Sequence, residues 1–122
     1  MEKENQIAEK SYKFAIRIVK LYQYLCKTQN EYILSKQIVR SGTSIGANIE
    51  EAIAGQSRND FAAKLQISLK EARETRYWLR LLKDTDYIEP KLADSLIVDS
   101  EEIIKILTTI LKTTRENAAK KQ

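Results

Sequence analysis

The chain of 122 residues has no histidine, one cysteine, one proline and three glycines. Each scarcity excludes something. Without an imidazole there is no ready base to activate a serine or the thiol of Cys26, and the Glu-x-x-His ligands that hold paired iron in carboxylate bundles are missing. The serines also lack a G-x-S-x-G elbow. The stretch GTSIGAN, residues 42–48, has the glycines of a phosphate loop but neither its lysine nor a preceding strand. Composition leaves general acid–base work by a glutamate of raised pKa open, and nothing points to it. The expectation is a non-enzymatic protein with no catalytic residue, no cofactor and no metal.

Other absences bear on setting. A lone cysteine cannot close an internal disulfide, which suits a reducing cytoplasm. No apolar run approaches the roughly 20 residues that span a bilayer. The opening MEKENQIAEK has no apolar core of the kind a signal peptide carries. A cytoplasmic protein without a membrane partner is expected. So little glycine and proline leaves few sharp turns, while 43% hydrophobic and 31% charged residues are ordinary for a globular domain.

What is present is a repeated apolar rhythm in steps of four and three. The first seam is Ile7, Ser11, Phe14, Ile18, Leu21 and Leu25. The second reads Leu34, Ile38, Ser41, Ile45, Asn48 and Ala52, with Asn30 as its cap, Glu31 in its first turn and Gly55 at its end. Ser57 opens a capping-box-like S-R-N-D before the third seam, Phe61, Leu65, Ser68, Ala72, Thr75, Leu79 and Leu82. The stretch DTDYIEP interrupts the rhythm, and Pro90 suits the first turn of a fourth helix. Its seam is Ala93, Leu96, Ser100, Ile103, Leu107 and Ile110, and the polar tail RENAAKKQ is expected to fray. Helices near 5–28, 30–55, 58–84 and 89–116 with short loops predict an all-α, antiparallel up-down-up-down four-helix bundle, one domain over 1–122.

The second helix contains unusually poor helix formers in Arg40–Ala52, RSGTSIGANIEEA. An interior glycine costs a helix roughly 1 kcal/mol relative to alanine. Gly42 and Gly46 are four apart and share a face, which predicts a close approach by another helix. A loop at Ser41–Ser44 is the alternative. Asn48 on the seam needs hydrogen-bond partners, and Ser41, Ser68, Thr75 and Ser100 could join it in a polar layer that fixes register; small filler residues are the plainer reading. On the third helix a second stripe, Ile67, Glu71, Glu74, Trp78 and Leu81, runs off the first seam. It suits either a subunit interface anchored by Trp78 or a wide internal face. Glu71 and Glu74 are expected to pair with Arg40 or Arg73 rather than to hold a metal.

The formal net charge is +4, and its placement matters more than its size. On the first helix Lys10, Lys13, Arg17, Lys20 and Lys27 share a face with Tyr24, and no acidic residue lies between Lys10 and Lys27. The third helix has a similar ridge, Arg73, Arg76, Arg80 and Lys83. Such ridges can track phosphates, with a tyrosine offering a surface for stacking. A solvated bundle exterior is the competing reading.

The segments QIVRSGTSIGANIEEA and GQSRNDFAAKLQISLKEARETRYWLRLL resemble the small four-helix-bundle family of proteins encoded in intervening sequences of bacterial 23S ribosomal RNA. The similarity runs roughly from Phe14 to Leu111. Its motif positions fall on Arg40, Ser41, Ser44, Asn48, Glu51, Ser57, Phe61, Glu71 and Trp78, and none of them assigns chemistry. The resemblance implies a bundle that assembles as a homo-oligomeric ring, a pentamer. It also implies a distant similarity to the accessory protein of diversity-generating retroelements, a basic pentamer that engages nucleic acid and a reverse transcriptase. Two function classes follow: a module binding structured RNA through its basic faces, or a protein–protein scaffold ring.

Overall fold

Four helices, α1 (Glu2–Lys27), α2 (Leu34–Ala54), α3 (Arg58–Asp84) and α4 (Pro90–Lys120), follow one another through short connections. The structure, a computed structural model, describes residues 2–55 and 57–120. Each helix packs on its neighbours in sequence and α4 closes against α1, the loosest of the four seams. This is the antiparallel up-down-up-down bundle that short loops between long amphipathic helices impose.

The heptad rhythm determines what is buried. α1 buries Ile7, Ser11, Phe14, Ile18, Leu21 and Leu25, its whole predicted seam. α4 buries its predicted seam and adds Leu111. α3 buries its seam from Leu65 to Leu82 and adds Leu69, while Phe61 is half-buried at its first turn. Ser57 caps α3 as its sequence predicts, its hydroxyl accepting from the Asp60 N–H at 3.1 Å, and Pro90 is the first residue of α4.

α2 is one continuous helix, as its sequence predicts, without the alternative loop at Ser41–Ser44. Thr43 and Ser44 bond back to the carbonyls of Val39 and Arg40, both at 2.6 Å, so their hydroxyls are satisfied inside the helix. The buried face then steps from Ile45 to Ile49, not to Asn48. Asn48 is half-buried and donates to the Ser44 carbonyl at 2.8 Å. A step of four brings an aliphatic side chain inward, where a step of three would bury an amide needing several partners.

The start of α2 also differs. Asn30 does not cap it: with φ of 53° it takes the left-handed conformation that asparagine tolerates and so ends the α1 turn. The cap is Glu31. This buried carboxylate accepts from the N–H groups of Ile33, Leu34 and Ser35, the last at 2.7 Å. Burial works to raise its pKa, but the bonds from Leu34, Ser35 and Ile33 outweigh it and hold the carboxyl below its usual range. At the other end, α4 does not fray at Arg115; it runs helical through Lys120, where alanines favour the helix.

The polar seam residues form a partial layer. Ser41 Oγ and Thr75 Oγ1 are 2.9 Å apart across α2 and α3, and Ser68 donates to the Ile45 carbonyl at 2.8 Å. Ser11 and Ser100 bond within their own helices. The layer joins α2 to α3, without Asn48.

Candidate nucleic-acid interface

The ridge on α1 is not uniformly free. Lys10 pairs with Glu102, and Arg17 Nη1 lies 2.6 Å from Asp99 Oδ2 while its Nη2 donates to Ser95 Oγ at 3.1 Å. Lys13 pairs along the helix with Glu9 at 3.0 Å. The α3 ridge is treated similarly. Arg76 approaches Glu101 at 3.8 Å and Lys83 Nζ is 2.7 Å from Asp94. The Lys83 ammonium is held above its usual range, foremost by the hydrogen bond to Asp94 and then by its charge.

All four of these acids across the gap belong to α4, which lies between α1 and α3. Residues 88–122 hold equal numbers of acidic and basic groups, so α4 looks neutral when read alone. Four of its acids nonetheless pair with the two ridges, while Lys112, Arg115 and Lys120 lie in its last turns. Among the described residues, Lys20, Lys27, Arg73 and Arg80 have no carboxylate within 4.0 Å.

Arg73 acquires company the linear pattern did not reveal. Lys112 and Arg115 of α4 join it around a recess of about 470 Å³ between α3 and α4, with Gln66 and Thr108 beside them and Glu116 as the only acid. The sequence signal was the three-residue spacing in K-T-T-R at positions 112–115, which puts both cations on one helix face. A second, smaller groove of about 280 Å³ lies between α1 and α4, lined by Arg17, Lys20, Leu21, Tyr24, Leu92 and Leu96. A third recess, about 570 Å³, is at the end of the bundle where Glu2 and Glu4 meet Lys3 and Arg58; with both signs present it focuses no field of one sign.

The small-residue motif does something else. Gly42 and Gly46 face α1: a Cβ on Gly42 would lie 2.7 Å from Ile18 Cγ2, and one on Gly46 would lie 3.2 Å from Ser11 Oγ. Arg40, expected among the packing residues, is exposed. It reaches across to α3, its Nη1 2.8 Å from Glu71 Oε2 and its Nη2 bonded to Glu74. Trp78 Nε1 donates to the same Glu74 oxygen at 3.0 Å. That indole bond first, and Arg40 with it, hold the Glu74 carboxyl below its usual range against the effect of burial. Trp78 rests against the core and stacks edge-on with Tyr77 at 5.2 Å. Of the second α3 stripe, Ile67 is exposed while Trp78 and Leu81 are half-buried. Glu51 pairs with Lys64.

Fold and charge together define an antiparallel four-helix bundle of modest net positive charge, whose cations are divided between pairing with α4 and exposure beside two recesses. The chain belongs to the 23S rRNA-intervening sequence protein family, whose model matches residues 3–109. It is similar to a crystal structure of a protein of unknown function from the S23 ribosomal protein family of Bacteroides thetaiotaomicron VPI-5482: identity is 55%, the TM-score is 0.88, and the match covers 90% of this chain and 98% of that one. No functionally curated protein matches the sequence. No described helix is long and apolar enough to cross a membrane.

Proposed function

We propose that the protein is a non-enzymatic module that binds structured RNA through its exposed cations and acts as a homo-oligomer. The observation that carries this reading is the convergence of Arg73, Lys112 and Arg115 from two helices on one recess, opposed only by Glu116. Like charges beside low-dielectric walls concentrate the field and attract polyanions. The family name, with its reference to 23S rRNA, supports RNA as the polyanion. Contact is with phosphates, and so depends on shape and charge more than on base sequence.

The test is a titration of labelled ribosomal RNA fragments at low and moderate salt. Affinity falls steeply as salt rises, because condensed counterions must be displaced. Replacing Arg73, Lys112 and Arg115 together by glutamine flattens the salt slope by about one per cation. An unchanged slope in this variant removes the recess from the interface, and no binding at low salt leaves the second reading, a protein–protein scaffold. That reading is supported by an exposed apolar stripe on α1, where Tyr12, Ile16 and Val19 are 61%, 42% and 37% exposed. Self-association draws on this stripe or on the α3 stripe of Ile67, Trp78 and Leu81, the resemblance implying five subunits. Ile16→Asp and Ile67→Asp separate the two faces by sedimentation; if neither variant alters the mass of the parent, both surfaces are excluded.

A further inference from the structure

We infer that the groove between α1 and α4 receives one unstacked nucleobase, laid against Tyr24, from a single strand whose phosphates run along Lys13, Lys20 and Lys27. This rests on the nucleic-acid reading above and adds that the strand is unpaired where it meets α1. The groove has an apolar floor, Leu21, Leu92 and Leu96, with Arg17 and Lys20 at its rim. Leu92 and Tyr24 are 39% and 38% exposed, although both border a groove next to the core. A phosphate gains nothing from such a floor. A base does, because its faces are apolar and its phosphates stay outside with the cations. A duplex keeps those faces stacked inside.

Size and charge favour the base over a protein segment. At about 280 Å³ the groove lies just under the range of drug-sized sites, roughly 300–1,000 Å³, and a partner helix is about 10–12 Å across with its side chains. Lys13, Lys20 and Lys27 are spaced by seven, which puts them on one face at steps of about 10.5 Å. Lys20 and Lys27 have no carboxylate partner among the described residues. The groove is also preorganised. Gln29 Nε2 donates to the Tyr24 hydroxyl at 2.7 Å, and Asp99 and Ser95 hold the Arg17 guanidinium. Ordered groups lose little entropy when a ligand arrives.

The full-length protein is titrated with three labelled probes: a short mixed-sequence RNA single strand, the same strand with abasic positions, and a duplex of equal length. The base-bearing strand is expected to bind about tenfold more tightly than the abasic one, the size of a single stacking contact, and more tightly than the duplex. Tyr24→Leu, which keeps the groove apolar, abolishes that preference without changing the salt slope, and Tyr24→Phe retains it. Equal binding of base-bearing and abasic strands overturns the inference, as does a preference that survives Tyr24→Leu, while leaving charge-driven binding intact. If none of these probes and no ribosomal RNA fragment binds at low salt, the nucleic-acid reading itself fails and this inference with it.

Discussion

A methyl group added to Gly42 would sit 2.7 Å from Cγ2 and 2.9 Å from Cγ1 of Ile18, a side chain with no exposure at all. Ile18 is branched at Cβ and enclosed, so it has few rotamers into which to retreat. Gly42→Ala gains roughly 1 kcal/mol of helix propensity but overpacks the α1–α2 seam, which costs about 1–3 kcal/mol. The variant is expected to be less stable than the parent in urea unfolding, and less stable than Gly46→Ala, whose methyl meets Ser11 Oγ at 3.2 Å. The reverse order would show that α1 yields at Ile18 and that the glycine is not needed for close packing.

Glu31 is expected to carry much of the stability of the α1–α2 connection. Removing a side-chain cap costs about 0.5–2 kcal/mol, and here one carboxylate serves three N–H groups. Because its folded pKa is depressed, the charged form contributes fully above the unfolded carboxylate midpoint of about 4.3. That contribution is lost as pH falls through the folded value. Glu31→Ala should be destabilised at neutral pH and lose less than the parent on acidification. Parallel stability–pH curves for the two proteins would contradict this.

Ser41 and Thr75 should show coupled energetics. Thr75→Val removes the hydroxyl that donates to Ser41 Oγ and leaves Ser41 only its long bond to the Ile38 carbonyl, at 3.4 Å. An unsatisfied buried hydroxyl costs about 1–3 kcal/mol. Adding Ser41→Ala removes the Ser41 hydroxyl, so the double variant should lose less than the two singles combined. Strict additivity in the cycle would mean that the pair holds no register between α2 and α3.

Arg40→Gln should cost little stability, within about 1 kcal/mol, since the guanidinium is half exposed. Its effect is expected on Glu74. Trp78 is the one tryptophan of the chain and donates to that carboxylate, so its fluorescence reports the Glu74 titration. In the parent the midpoint lies below the usual carboxylate range, and without Arg40 it moves up toward that range. An unmoved midpoint would show that the indole, with the Lys70 charge, suffices to hold the carboxylate ionised.

Much of the bundle was legible in the sequence because helix periodicity is a local property. Ile7 to Leu25 and Ala93 to Ile110 recur in steps set by 3.6 residues per turn, and burying one stripe per helix leaves a bundle as the economical solution. Gly42 and Gly46 announced a close approach for the same reason, since they share a face whatever lies opposite. Ser57 and Pro90 marked helix starts through their own hydrogen-bonding chemistry.

Only the tertiary structure decided which neighbour each face meets. Ile49 displaced Asn48 from the core because the bundle chose between steps of three and four, a choice that helical spacing permits either way. Asn30 yielded the cap to Glu31 because the carboxylate folds back onto three donors at once, a geometry created by the left-handed turn at Asn30. The charge pattern was the least legible. Two basic ridges looked alike along the chain, yet α4 lays Asp94, Asp99, Glu101 and Glu102 against their members and adds Lys112 and Arg115 to Arg73. Electrostatic energy depends on distance through space, and the sequence orders residues only along the backbone.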